Sequence, residues 1–213
     1  MATHYLCIDI EATGSNLNNT INAIGIFFAP RDYTLLKEQP AVKKRWALLP
    51  REGEKDDPAT MSEFWDKFKE VKEKLDGEAR DPKVVMRELL EFFQKAARDV
   101  GPRKIKLVTD CPDFDVGRLD YLGYVLGVWA EPIRYFGVNV RHGCVDPSER
   151  LDQVDADDDF KAWVAKVAPH ARHSHYPDDD AEYNYWQMVY CDKLKEEHKQ
   201  RQAREKRFQD NND

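Results

Sequence analysis

The chain has 213 residues and a formal net charge of −7, with 41% hydrophobic, 34% charged and 11% aromatic residues. That length suits one domain, and the apolar and aromatic content supplies a packed core, which excludes wholesale disorder. The acidic balance counts against a nonspecific nucleic-acid binder, which is normally basic, unless several acids share a metal site, where two divalent ions would cancel four carboxylates.

Tyr5 to Ile10 (YLCIDI) is a compact β-rich run and predicts a buried strand. Residues 12–20 (ATGSNLNNT) form a turn, and Ile21 to Phe28 (INAIGIFF), closed by Pro30, predicts a second strand that completes a hairpin. A third strand is expected near Arg45 to Leu49, followed by an acidic loop from Glu52 to Pro58. Met61 to Leu75 has helical spacing, with Phe64, Phe68, Val71 and Leu75 recurring every three or four residues. Asp81-Pro82 opens a second helix as N-cap and first position, and Gly101-Pro102 ends it.

Ile105 to Val108 (IKLV) predicts a short strand, residues 113–127 a helix, Ile133 to Val140 a strand and residues 157–167 a short helix. The last element is a long helix from about Asp178 to Arg207, apolar in its first half and almost wholly charged in its second (KEEHKQRQAREKRF). A hairpin followed by alternating helices and strands predicts an α/β fold: a mixed central sheet flanked by helices, with a long C-terminal helix. Residues 1–208 read as a single domain and 209–213 as a disordered tail.

The four cysteines, Cys7, Cys111, Cys144 and Cys191, include no CxxC pair, which argues against a zinc ribbon or a thioredoxin-like site and for a reducing compartment. There is no basic then apolar leader at the N-terminus, and no run of roughly 18 apolar residues able to cross a bilayer. The expectation is a soluble, cytoplasmic protein without membrane contact.

Three acidic groupings carry chemistry. Asp9 and Glu11 flank Ile10 at the end of a buried strand. Side chains two apart on a strand point the same way, with Cα atoms about 6.6 Å apart. Two such carboxylates repel unless one is protonated or a hard divalent cation neutralises both, and Mg²⁺ and Mn²⁺ prefer carboxylate oxygens. The alternative is a strand end that frays into solvent.

The second grouping is Asp110, Asp113 and Asp115 in TDCPDFDVGRLDYL, where a strand runs through a loop into a helix. Ligands gather at the carboxyl ends of strands in such sheets. Asp113 is a candidate N-cap and Asp110 a strand-closing residue, and composition does not choose among the three.

The third is HSHYPDDDAEYNYW, in which His175 and Asp180 are five apart. On one helix they would diverge by about 140°. Pro177 starts the helix afresh, leaving His175 on the preceding loop and Asp180 in the first turn. Asp178, Asp179 and Asp180 also suit a helix N-terminus through its dipole alone.

In this order the three groupings resemble the DEDDh exonucleases, which share an RNase H-like fold. The Asp-x-Glu motif followed by Thr-Gly is matched by Asp9, Glu11, Thr13 and Gly14. The Phe-Asp motif at a helix start is matched by Phe114-Asp115, and the His-x4-Asp motif by His175 and Asp180. The resemblance selects Asp115 over Asp110 and Asp113 and spans about residues 5–190. Many relatives carry Asn shortly before Phe-Asp, where this chain has Asp110-Cys111-Pro112. DPATMSEFW, residues 57–65, looks like a segment of RNase AS-type exoribonucleases and related phage proteins.

The resemblance implies two-metal phosphodiester hydrolysis with Mg²⁺ or Mn²⁺. Asp9 would bridge both ions, Glu11 and Asp180 would hold the first and Asp115 the second. His175, with an ordinary pKa of about 6.5, would be the general base. Nucleoside 5′-monophosphates would leave the 3′ end of a single strand. Thr13 and Gly14 would lie beside the terminal nucleotide, and Phe114 and Trp65 are candidate stacking platforms, with core packing the competing reading for each.

Lys43-Lys44-Arg45, Arg141-His142 and the basic half of the last helix are candidate strand-holding clusters, each competing with simple solvation. Homodimers are frequent among the relatives, so the charged half-helix has a second subunit as one possible partner. RNA is the favoured substrate; an exodeoxyribonuclease of proofreading or repair type is the alternative, and an idle nucleic-acid-binding module stands below both.

Overall fold

The computed structural model describes residues 3–128, 147, 151 and 156–210, with side chains as far as residue 207. Strand β1 (His4–Ala12) is the sequence YLCIDI with its flanks, and it is the hub of the molecule. Strand β2 (Ile21–Pro30) returns antiparallel to it through the 13–20 turn, with Asp9 opposite Gly25. Strand β3 (Val42–Ala47) pairs antiparallel with β2, three residues upstream of the expected position. Strand β4 (Ile105–Val108) pairs parallel with β1 on its other side, giving a mixed four-stranded sheet in the order β3-β2-β1-β4.

The helices cover both faces. A helical turn at Pro58–Thr60, capped by the Asp57 carboxylate, runs into a π-helical turn at Met61–Trp65. Helix α1 (Lys69–Glu78) starts only after a break at Phe68, so the expected continuous helix from Met61 is two pieces. Trp65 is buried in the core, and half-buried Phe64 and Phe68 pack against the same cluster while reaching the ring of His175.

Helix α2 (Pro82–Val100) opens on Asp81, whose side chain accepts from the Val84 amide, and stops at Gly101 in a positive-φ conformation. Helix α3 (Pro112–Val125) begins one residue earlier than expected. Cys111 occupies its cap position, so Asp113 is an exposed acid of the first turn rather than the N-cap. Helices α4 (Asp157–Val167) and α5 (Pro177–Asp210) follow. The expected strand at 133–140 and the Arg141-His142 cluster lie outside the described residues.

Alternation along β1 sorts the core. Leu6, Ile8 and Ile10 face one side, packing with Ile24, Ile26 and Trp46 against Val85, Met86, Leu89 and Phe93 of α2 and Val116, Leu119 and Leu122 of α3. Tyr5 and Cys7 face the other, with Phe27, Ala29 and Val108, against Tyr185, Trp186 and Val189 of α5 and Phe160 and Val164 of α4. Fully burying a side chain of this size contributes about 1.5–3 kcal/mol, so both faces of the strand are strongly held. The period of two continues on the second face into Asp9 and Glu11, so the same strand that anchors the core presents its acids at the carboxyl end.

Among the described residues no helix is long and apolar enough to cross a membrane. Residues 195–207 of α5 are exposed throughout, laced by pairs such as Lys193–Glu197 at 2.9 Å. A helix that is polar all round gains its support from such neighbours and not from a core.

Candidate active site

Three chain segments meet at the carboxyl end of β1. Asp9 and Glu11 come from the strand, Asp110 and Asp115 from the loop and first turn after β4, and Asp180 from the first turn of α5. Ligand oxygens of Asp9, Glu11 and Asp180 lie within 4.8 Å of one another, and so do those of Asp9, Asp110 and Asp115. Asp9 belongs to both groups. It is only 8% exposed, and its Oδ2 atom is buried with no hydrogen-bond partner.

What aims these side chains is visible in the backbone. The Asp115 carboxylate accepts from the Ile10 amide at 3.2 Å and from the Thr109 hydroxyl, which ties the start of α3 to β1 between its two acids. Asp180 accepts from the amides of Ser174 at 2.7 Å and His175 at 3.0 Å, closing the 174–180 loop onto the helix start. The helix start itself sits directly on β2. A Cβ on Gly25 would stand 2.0 Å from the Pro177 carbonyl carbon and 2.2 Å from the Asp178 nitrogen. Only glycine at the position facing Asp9 admits α5 this close.

His175 has φ 60°, the one described non-glycine residue in that left-handed region. Such a conformation costs on the order of 1–2 kcal/mol and persists where surrounding contacts impose it. Here they are the hydrogen bond from its amide to Asp180 and the rings of Phe64 and Phe68, at 4.9 and 4.0 Å between centroids. The imidazole Nδ1 lies 3.9 Å from Glu11 Oε1. The His173 ring packs 4.6 Å from that of His175, and its Nε2 is 3.5 Å from Asp180 Oδ2.

Crowded, buried acids resist ionisation. Burial, then the charges of Asp115 and Glu11, holds Asp9 well above the ordinary carboxylate range. Burial and the charge of Asp180 push Glu11 up to about 8. Burial raises Asp115 to about 8 against the pull of the Thr109 hydroxyl, and Asp180 to about 6 against that of the two loop amides. His175 moves down through burial and the neighbouring His173. An orphaned carboxylate oxygen inside a ring of repelling acids is the donor set that hard divalent cations fit, since the cation supplies the missing partner and cancels the repulsion together.

The remaining expected residues are sorted differently. Trp65 is 2% exposed and its indole N–H donates to the Ala12 carbonyl at 3.0 Å, so it is a core residue with no face left for a base. Thr13 is buried and its hydroxyl is engaged with the Thr20 backbone. Gly14 is required by the protein's own packing, because a Cβ there would meet Asn19 and Asp57 at 2.5 and 2.6 Å. Phe114 is half-buried, and the guanidinium of buried Arg118 lies 4.2 Å over its ring while donating to the Gly14 and Asn16 carbonyls.

The β3 cations expected to grip a strand are engaged within the fold. Lys43 pairs with Asp179 and Glu182, Arg45 with Asp178 and Glu78, and Lys44 lies over Trp46 and Phe92. Asp178 and Asp179 therefore have partners beyond the helix dipole. Gly25, Phe64 and Phe68 shape the site without belonging to any of the acidic motifs. Gly25 inside the apolar run INAIGIFF is the one with a legible signal, since glycine within a strand marks a close backbone approach.

No protein-family model matches the sequence, and no curated protein does. Solved structures do match by shape. The nuclease domain of 3′hExo, a DEDDh family member bound to rAMP, superposes with a TM-score of 0.57 at 13% identity over 92% of this chain and 93% of that one. Product-bound exonuclease I gives 0.56 at 12% identity over 91% of this chain and 43% of that one. Cell-death related nuclease 4 gives 0.54 at 13% identity over 91% and 64%. The chain thus spans under half of exonuclease I and nearly all of the 3′hExo nuclease domain. At such identities the likeness is one of fold: this chain shares the α/β fold of those nuclease structures.

Proposed function

We propose that the chain is a DEDDh-type 3′→5′ exonuclease that shortens single-stranded RNA from its 3′ end and releases nucleoside 5′-monophosphates. The observation that carries the reading is the meeting of Asp9, Glu11, Asp115 and Asp180 around a buried, unpartnered Asp9 oxygen, with His175 beside Glu11. Asp9, Glu11 and Asp180 would hold one Mg²⁺ or Mn²⁺, and Asp9 with Asp115 a second. Bound there, the ions supply charge stabilisation to the attacking and leaving oxygens of a phosphodiester.

The chain's own residues do the rest. His175, kept neutral by its setting, accepts the proton of the attacking water. Phe64 and Phe68 hold its ring, and Asp180 fixes its backbone. RNA is favoured over DNA by the RNase AS-like stretch 57–65 and by the ribonucleotide bound to 3′hExo. In that stretch Phe64 reaches His175 and Trp65 closes the core beneath Ala12.

The test is hydrolysis of a 5′-labelled oligoribonucleotide and its DNA counterpart with Mg²⁺ or Mn²⁺. Stepwise shortening of RNA, lost in Asp9→Ala, is expected. Shortening of DNA alone would transfer the activity to a deoxyribonuclease. No shortening of either strand would leave a binding module.

A further inference from the structure

We infer that Asp110 is a fifth acidic ligand, which with Asp9 and Asp115 completes a three-carboxylate seat so that the second divalent ion loads before any nucleic acid arrives. The inference rests on the two-metal reading above and adds to it a residue and an order of binding.

The geometry divides five carboxylates into two trios that share only Asp9, each with its ligand oxygens within 4.8 Å. Asp110 stands there because β4 runs parallel to β1 and ends at Val108, opposite Cys7. The chain leaving it emerges beside the acidic end of the hub strand. Asp115 is turned inward by the Ile10 amide and the Thr109 hydroxyl, each taking one of its oxygens and leaving further lone pairs for a cation. Asp9, the member shared by both trios, is 8% exposed and leaves its Oδ2 buried without a hydrogen-bond partner.

A magnesium site built from one or two carboxylates is ordinarily completed by substrate phosphate oxygens. With Asp9 shared and Asp115 alone, the second ion would depend on the substrate in that way. A third carboxylate removes the dependence. It also leaves five negative charges against four positive, so the pair of ions is retained more firmly once the product departs.

The experiment titrates Mn²⁺ alone into the full chain, without nucleic acid, and counts bound ions by calorimetry and by loss of the free-ion EPR signal. Two ions per chain are expected in the wild type. Asp110→Asn and Asp110→Ser, each checked for native circular dichroism, should lose or weaken one site by about tenfold or more while the other is kept. Asp113→Asn, which removes an exposed neighbouring acid, should keep both.

One ion in the wild type, or two with unchanged affinity in both Asp110 variants, overturns the role of Asp110 and leaves the exonuclease reading intact. A wild type that binds no Mn²⁺ overturns the two-metal site itself. In the RNA assay, the Asp110 variants should need about tenfold more Mn²⁺ for half-maximal rate.

Discussion

Gly25 lies directly across the β1–β2 pair from Asp9, and the Pro177–Asp178 backbone fills the space its side chain would take. That juxtaposition brings the first turn of α5, and with it Asp180 and the His175 loop, onto the acidic end of β1. Gly25→Ala should cost about 1–3 kcal/mol through overpacking and push the helix start outward. Because the displaced piece carries Asp180, Mn²⁺ affinity should fall more than stability does. Calorimetric Mn²⁺ binding beside thermal melts checks this, and an alanine variant with wild-type metal affinity would disprove it.

Asp9→Asn should separate activity from stability. It removes the most crowded buried acid, whose charge the metal-free protein tolerates poorly. Activity should drop by about 10²–10³-fold or more, by analogy with the loss of a preorganised electrostatic group. The metal-free melting temperature at pH 8 should nevertheless rise, by roughly 2–4 °C for each kcal/mol regained. A lower melting temperature would show that Asp9 is satisfied in some other way.

The acids set the pH dependence of the metal-free protein. Glu11 and Asp115 titrate near 8 when folded, against about 4 when unfolded. The folded state thus binds more protons across that interval, so this contribution to stability is fully present below about pH 4 and is lost progressively as the pH rises to 8. Acids with the opposite shift, such as Asp179 beside Lys43, limit the gain below that range. Saturating Mn²⁺ should flatten or invert the slope, since it binds the ionised carboxylates. Melting curves at pH 5, 6.5 and 8, with and without Mn²⁺, provide the comparison.

With ions at saturation the carboxylates stay charged, and the acid limb of the rate should report His175. Its pKa is lowered, so the rate should hold to below the ordinary 6.5 and fall only as the pH drops further. His175→Gln should lower kcat by about 10²–10⁴-fold and abolish that limb while Mn²⁺ binding persists. An unchanged pH profile in the variant would take the base role away from His175.

Lys43 and Arg45 offer a contrast between holding the fold and holding a substrate. Each is ion-paired to the start of α5, so Lys43→Met and Arg45→Met should lower the melting temperature. The salt dependence of RNA binding should not change, since neither side chain is available to phosphate. A slope reduced by about one per substitution would reinstate the strand-gripping role.

Most of the architecture could be read from periodicity and punctuation. The alternation of Tyr5 to Ile10, the Asp81-Pro82 cap and the Pro177 restart each express a local preference that tertiary packing left in place. The Met61–Leu75 segment is two helical pieces and not one, although its aromatic spacing satisfies a continuous helix and a broken one equally. Only the need to direct Trp65 inward and Phe64 and Phe68 toward His175 separates the two. Trp65 was likewise ambiguous, since the exposure of an aromatic is not a property of its neighbours in sequence. Asp110 was indistinguishable by composition from Asp113, and what divides them is the parallel pairing of β4 with β1, a contact about a hundred residues long in sequence.

The Ser174 and His175 amides donate to Asp180 from within the same short segment, so these hydrogen bonds are made by the protein's own backbone. The proton acceptor is therefore latched by an interaction internal to the protein. Chelation with EDTA should empty the carboxylate cage while leaving amide exchange in segment 173–176 as slow as before, so that re-addition of cation restores turnover at once, without a lag for refolding.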